Sequence, residues 1–192
     1  MKLLILLCIG SYAAGSINFS ILLFKALGKD DPRNAFSGNP GVVNIYRQAG
    51  LFTAAVVWLL DVGRAIGVAL ICVSLLPAEY LPWSGLALIL GNRFPCFHGF
   101  RGGKGVANYL GFTTIIAPVA AAVSGVAWLV SLALLRIPFI ASFVMVFILA
   151  AGTMIAGNFH GITVAGVLAT VALIYYAHKS NIIELIKKRT GD

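Results

Sequence analysis

Residues 110–135 read Leu-Gly-Phe-Thr-Thr-Ile-Ile-Ala-Pro-Val-Ala-Ala-Ala-Val-Ser-Gly-Val-Ala-Trp-Leu-Val-Ser-Leu-Ala-Leu-Leu, without a single charge. As one helix this stretch would reach about 39 Å, against roughly 30 Å of bilayer hydrocarbon. Pro118, Ser124 and Gly125 interrupt it, so it reads either as one long span or as a hairpin of two short helices. The choice decides how many helices the chain has and at which end of them its C-terminal tail emerges.

Working outward, further apolar runs cover residues 3–24, 51–76 and 83–97 upstream, and 139–156 and 162–177 downstream. The 83–97 run is short and holds Arg93, as expected of a tilted or partly buried span. The run at the start continues to Phe24, beyond a typical signal-peptide core, and reads as a retained first span. Polar loops occupy 25–50 and 98–108, a Pro-rich connection 77–82, a compact turn 157–161 and a basic tail 178–192. Sixty per cent of the 192 residues are hydrophobic and 10% are charged, with mean hydropathy +0.97. That leaves too little polar surface for a water-soluble fold. A chain in lipid must satisfy its own backbone, which permits helices or closed barrels, and unbroken apolar runs choose helices. The expected architecture is one all-α unit over residues 1–192, a polytopic transmembrane helix bundle with no internal repeat and no soluble domain.

Cys8, Cys72 and Cys96 lie in apolar segments without CxxC spacing, which excludes a disulfide framework and points to small buried residues. Twelve of the 14 Lys and Arg residues can share one side: Lys25, Lys29, Arg33, Arg47, Arg93, Arg101, Lys104, Arg136, Lys179, Lys187, Lys188 and Arg189. The positive-inside rule assigns that side to the cytoplasm and the N-terminus to the outside. In the second span, Asp61 and Arg64 stand three residues apart, either as an ion pair facing the bundle interior or as direct substrate contacts.

Three polar segments on the positive side have the composition of a site. In the first, Ser37, Gly38, Asn39 and Gly41 form a tight turn leading to Asn44 and Arg47, which share a face if the chain turns helical. A Gly/Ser turn entering a helix beside a guanidinium suits a phosphate, or is an ordinary turn with a helix cap. The second reads His98-Gly-Phe-Arg-Gly-Gly-Lys-Gly105, where Gly102, Gly103 and Gly105 allow close backbone approach and Lys104 supplies charge. It is not a P-loop, since His98 and Gly105 stand where that motif needs Gly and Ser or Thr. The third is His178 and Asn181, one helical face apart. It is followed by an apolar stripe of Ile182, Ile183 and Ile186 opposite Glu184, Lys187 and Lys188, the pattern of a helix lying on the membrane.

In order along the chain, these segments resemble the three signatures of the bacterial PlsY family. Gly15-Ser16-Ile17, Asp31-Pro32-Arg33, Ser37-Gly38-Asn39-Pro40-Gly41 and Asn44…Arg47 are similar to the first. Phe94-Pro95…Phe100-Arg-Gly-Gly-Lys-Gly-Val106-Ala107 is similar to the second, and His178…Asn181-Ile182 to the third. Asp61-Val-Gly-Arg64 resembles the family's acid–base pair. The chain departs from the pattern at Asn92, Asn108, Val42-Val43 and Arg64-Ala65. The resemblance implies transfer of a fatty acyl group from acyl phosphate to the sn-1 hydroxyl of glycerol 3-phosphate, at a bacterial plasma membrane. Ser37, Arg47, Lys104, His178 and Asn181 would be the catalytic residues. Gly38, Asn39, Gly41, Asn44, Gly102, Gly103 and Gly105 would bind substrate.

No Ser-His-Asp arrangement, HxxxxD signature or metal cage is evident, so no metal or cofactor is expected, and no nucleic acid. The partners implied are acyl phosphate, glycerol 3-phosphate and membrane lipid; nothing in the sequence indicates an oligomeric state. An anion transporter or channel is the competing class, since it too would gather basic loops and place charges inside a bundle. One catalytic site needs all three signatures at the same end, and an N-terminus at the opposite end then requires an odd number of helices. A single broken helix over 139–177 would give five but would be about 58 Å long. The expectation is therefore seven, with 110–135 a hairpin whose two members, the fourth and fifth helices, are both too short to cross fully.

Overall fold

The computed structural model describes residues 1–190 apart from the side chain of Arg189, so that part of the predicted positive surface lies outside the described residues. Among the described residues the secondary structure is helical, with no strand. The first apolar run forms α1 (Lys2–Ser16) and α2 (Phe19–Ala26), broken where the Asn18 side chain accepts from the Ile21 N–H and caps α2. Helix α3 (Val42–Leu75) contains a break of its own at Gly50, whose φ of 78° lies in the left-handed region. It therefore divides into a short helix 42–49, carrying Asn44 and Arg47, and the long apolar part 51–75.

The rest are α4 (Leu81–Arg93), α5 (Val106–Ile116), α6 (Pro118–Leu135), α7 (Pro138–Ala156), α8 (Gly161–Ala177) and α9 (Lys179–Thr190). Prolines sit in the first turn of α4, α6 and α7, where the missing N–H is harmless and the fixed φ suits a helix.

Contacts show that residues 110–135 double back. Lys104, just before α5, meets Asn181, just after α8. The His178 ring at the end of α8 packs against Phe143 in the first turns of α7, with centroids 5.2 Å apart. Further along, Trp128 of α6 donates to Ser142 of α7, while Ala117 and Ala120 at the start of α6 abut Gly152 near the end of α7. Helix α5 thus leaves the Lys104 end and α6 returns to it. The hairpin turns at Ala117–Pro118; Ser124 and Gly125 do not interrupt α6, and the Ser124 hydroxyl folds back on the Ala121 carbonyl at 2.8 Å.

Counting α1 with α2 as one bent span, seven helices among the described residues form the bundle, as expected, and α9 turns 50° away from α8. One expectation is corrected. Helix α5, with 11 residues, is too short to cross, but the 18 apolar residues of α6 reach about 27 Å and are long enough.

Helices approach closely where small residues meet. A Cβ on Gly15 of α1 would overlap the Leu88 carbonyl oxygen of α4, and one on Gly91 of α4 would overlap the Tyr12 carbonyl oxygen of α1. Ile89, Tyr109, Val146, Leu149 and Ile174 fill the space among α4, α5, α7 and α8. Large apolar side chains such as Leu129, Leu134 and Phe147 are exposed, as on a surface that meets lipid. Cys72 is buried and Cys8 half-buried, but Cys96 is exposed in the short 3₁₀ turn Cys96–His98, contrary to the expectation for all three.

The charges of α3 pair within the bundle. Arg64 bonds Asp61 at 3.0 Å and the Asn108 side chain of α5 at 2.6 Å, and it donates to the Ile17 carbonyl at the α1–α2 break. The arrangement is that of an ion pair facing the interior.

The interlock of α1 and α4 predicts the effect of single methyl groups. Gly91→Ala overpacks a backbone–backbone contact, a change of about 1–3 kcal/mol or more, and should lower the unfolding temperature in detergent by several degrees. Gly63→Ala, exposed with open space around its Cβ, should leave it unchanged or raise it. Equal shifts for the two variants would show that the close approach does not support the bundle.

Candidate active site

The two Gly-rich loops meet at the end of the bundle where Lys104 lies. Loop one joins α2 to α3, and loop two joins α4 to α5. Arg33 ties them together: its Nη1 donates to the carbonyls of His98 at 2.7 Å and Arg101 at 2.9 Å in loop two. Its other face holds Asp31 through Nε and Nη2 at 2.6–3.1 Å. That guanidinium keeps the Asp31 carboxyl below the usual carboxylate range. Asp31 in turn caps the 3₁₀ turn Pro32–Asn34 by accepting from the Arg33 N–H. On the α3 side, the Asn44 amide donates to the carbonyls of Pro32 and Ala35, and Gln48 donates to Pro32. Ser20 of α2 reaches the Pro40 carbonyl at 2.6 Å.

Lys104 lies where the third segment closes over loop two, its ammonium donating to Asn181 Oδ1. Burial and the neighbouring guanidinium groups of Arg93 and Arg47 lower its pKa to about 8, opposed by Glu184 of α9. His178, which follows α8, is buried with Nδ1 2.8 Å from the Ile174 carbonyl. That contact places the proton on Nδ1 and leaves Nε2 as an acceptor. Burial, with the added repulsion of Lys104 and Arg93, holds the imidazole below its ordinary pKa, hence neutral at pH 7. The fold therefore gathers Lys104, His178, Asn181 and Arg47, and adds Arg93. In the sequence Arg93 reads as a mark of a tilted span; the signal there is a basic residue inside a short apolar run, five positions before a Gly-rich loop.

The remaining predicted residues divide. Ser37 and Gly38 are exposed at the tip of a turn closed by the Gly38 N–H on the Ala35 carbonyl at 3.2 Å, as expected for a tight turn. Asn39 and Asn44 each keep a buried Oδ1 without a hydrogen-bond donor among the described residues, although the Asn44 amide nitrogen is committed to loop one. Gly41 and Gly105 are the N-caps of α3 and α5, and neither helix start is covered by a side-chain cap. Both leave first-turn N–H groups facing the loop end, a setting that favours an anion.

Gly102 and Gly103 do something different from what their spacing suggests. Their N–H groups already donate to the carbonyls of Arg93 at 3.1 Å and Asn92 at 2.9 Å. A Cβ on either would collide with Asn92, at its carbonyl or its side-chain oxygen. These two glycines press loop two onto the end of α4 and so aim Lys104, instead of cradling a ligand with their own amides. Among the described residues no group of three or more His, Cys, Asp or Glu is placed to hold a metal.

Comparison with known proteins identifies the family. Residues 5–188 match the family described as glycerol-3-phosphate acyltransferase. The glycerol-3-phosphate acyltransferase of Halalkalibacterium halodurans is 34% identical, with 97% of this chain and 93% of the relative covered. That of Paramagnetospirillum magneticum is 40% identical, covering 93% and 88%. The crystal structure of PlsY, an integral membrane glycerol 3-phosphate acyltransferase, in its glycerol 3-phosphate form superposes with a TM-score of 0.89 at 32% identity, over 97% of this chain and 93% of that one. Its lysophosphatidic acid form gives 0.86 at 31% identity. With the family match running along almost the whole chain, and the fold superposing over 97% of it, the protein belongs to the glycerol-3-phosphate acyltransferase family.

Proposed function

We propose that this protein transfers a fatty acyl group from acyl phosphate to the sn-1 hydroxyl of glycerol 3-phosphate, yielding lysophosphatidic acid and inorganic phosphate, the first step of bacterial phospholipid synthesis. The observation that carries the reading is the gathering of Arg47, Arg93 and Lys104 beside a neutral His178 at one end of an apolar bundle. Two phosphates and a fatty chain need such a meeting of cations and apolar surface. The buried acceptor oxygens of Asn39 and Asn44 complement it, since a glycerol hydroxyl can donate to them where phosphate cannot.

In the reaction the acceptor hydroxyl oxygen attacks the acyl carbonyl carbon, and the bond from that carbon to the phosphate oxygen breaks. Lys104 offsets charge as the carbonyl becomes tetrahedral, and Asn181 steadies its ammonium. Ser37 and Arg47 hold the second phosphate and orient the attack. His178 accepts from the hydroxyl through Nε2. Held below its usual pKa it is a poor final site for the proton, which passes to an oxygen of the departing phosphate. Acyl phosphate is already activated, and its leaving group carries its own base.

The loop end carries Lys25, Lys29, Arg33, Arg101 and the lysines of α9. The positive-inside rule supports placing it in the cytoplasm of a bacterium, with the protein in the plasma membrane.

Four outcomes are expected. Purified protein given acyl phosphate and glycerol 3-phosphate should release phosphate and form lysophosphatidic acid; equal rates with acyl-CoA or acyl carrier protein would overturn the choice of donor. Lys104→Ala should lower kcat by about 10²-fold with the unfolding temperature retained. Because Lys104 is charged below about pH 8 and neutral above it, kcat/KM should fall as pH rises through that value, and Lys104→Arg should abolish the fall. A flat profile to pH 9.5 or so would remove the Lys104 charge from the mechanism. Finally, a single cysteine at Arg136 should resist membrane-impermeant reagents in intact cells and react once they are opened; reaction from outside would reverse the orientation.

A further inference from the structure

Arg93 ends α4, and its carbonyl accepts from the Gly102 N–H at 3.1 Å, which fixes its backbone two residues from Lys104 across the loop. A cation at a helix C-terminus ordinarily reaches into water and compensates the dipole. This one does not. The residue is half-buried, and its Nε is fully enclosed without an acceptor among the described residues. The guanidinium lies over the Phe94 ring, 5.4 Å from the centroid. The carboxylates that form ion pairs are taken elsewhere: Asp31 by Arg33, Asp61 by Arg64 and Glu184 by Lys188.

Its charged neighbours are of the same sign. Arg93 is the leading cationic influence that lowers the Lys104 pKa, and it acts on His178 in the same direction. A partly desolvated guanidinium close enough to act on a second cation, which Glu184 of α9 alone opposes, is an unfavourable arrangement that a dianion would relieve.

We propose that Arg93 is a phosphate-binding residue, its planar fork holding, together with Lys104, the phosphate of one of the two substrates at the wall formed by α4 and α8. The assignment rests on the acyl-transfer reading for its substrates but not for its chemistry, because any phosphate monoester or acyl phosphate meets the same pair of cations. Arg93 contributes two parallel donors where Lys104 contributes a point charge, so the pair fixes the orientation of the phosphate as well as its position.

The test uses inorganic phosphate as probe and the full chain purified in detergent. Phosphate should raise the unfolding temperature of the wild type in a saturable way. In Arg93→Gln the concentration giving half the effect should rise about tenfold or more, and in Arg93→Lys, which keeps the charge but loses the fork, by several-fold. In the acyl-transfer assay the KM of either acyl phosphate or glycerol 3-phosphate should rise in Arg93→Gln by a similar factor, with a smaller change in kcat. Whichever KM moves identifies the phosphate concerned. A folded Arg93→Gln protein with the wild-type phosphate midpoint would overturn the assignment, as would wild-type midpoints in Arg93→Lys should the Gln variant not fold. Wild-type protein that binds phosphate yet forms no lysophosphatidic acid would sink the acyl-transfer reading and leave Arg93 in place.

Discussion

One guanidinium inside the bundle answers two demands that the bilayer makes at once. Hydrocarbon offers no donor to a carbonyl released from its helix, and the break between α1 and α2 releases that of Ile17. Arg64 supplies the donor. A cation within a span is itself costly, and Asp61, one turn earlier on the same helix, offsets it at 3.0 Å. The third partner is Asn108 in the first turn of α5, and the Phe19 ring of α2 lies 5.1 Å from the guanidinium. Four segments, α1, α2, α3 and α5, are thereby referred to a single side chain.

Those segments are the ones that carry the loops. Loop one leaves from α2 and returns to α3; loop two leaves α4 and enters α5 two residues before Asn108. With the feet of both loops held by Arg64, and α4 locked to α1 through Gly15 and Gly91, the loops have little freedom of relative position. Arg33 removes more of it by bonding two loop-two carbonyls from loop one. The site is thus built on irregular backbone, yet it inherits the rigidity of packed helices, which is what holding two reactants at attack distance requires. Replacing Arg64 or Arg33 would disturb the site through its supports, without removing any group that meets substrate.

Much of this was legible in the sequence because the bilayer allows so few solutions. Apolar length marked the spans, and the need to bring His178 to the side of Lys104 called for a hairpin within residues 110–135, though not for its turn at Pro118 in particular. Less legible was whatever depends on where a backbone amide points. Gly102 and Gly103 look like a phosphate cradle, because glycine spacing records that something comes close and not what it is. Here the close neighbour is the end of α4. Cys96 was expected inside because the run around it is apolar, but Pro95 ends α4 and turns the chain into an exposed loop. The reach of α6 was underestimated because Ser124 and Gly125 resemble breakers; in a helix a serine can bond back to the preceding turn and continue. Arg93 was overlooked as a ligand because a cation near the end of a span has an ordinary explanation in topology, and only its enclosed Nε removes that explanation.

The charge balance of the loop end connects fold and chemistry. Evolution of stability alone would place carboxylates among Arg47, Arg93 and Lys104, yet the carboxylates of Asp31 and Asp61 are spent on the supports, and Glu184 is shared with Lys188. What is left is a cluster of mutually repelling cations, one of them a lysine whose pKa is lowered to about 8. Such a cluster binds phosphate dianions most strongly when they are most charged, and an acyl phosphate gains charge on its leaving group as the acyl bond breaks. Interactions that grow along the reaction lower its barrier, whereas those equal at the start and at the top do not. In the proposed reaction the same concentration of positive charge would favour departure of phosphate over its retention on the acyl chain, without a strongly basic side chain to drive the transfer.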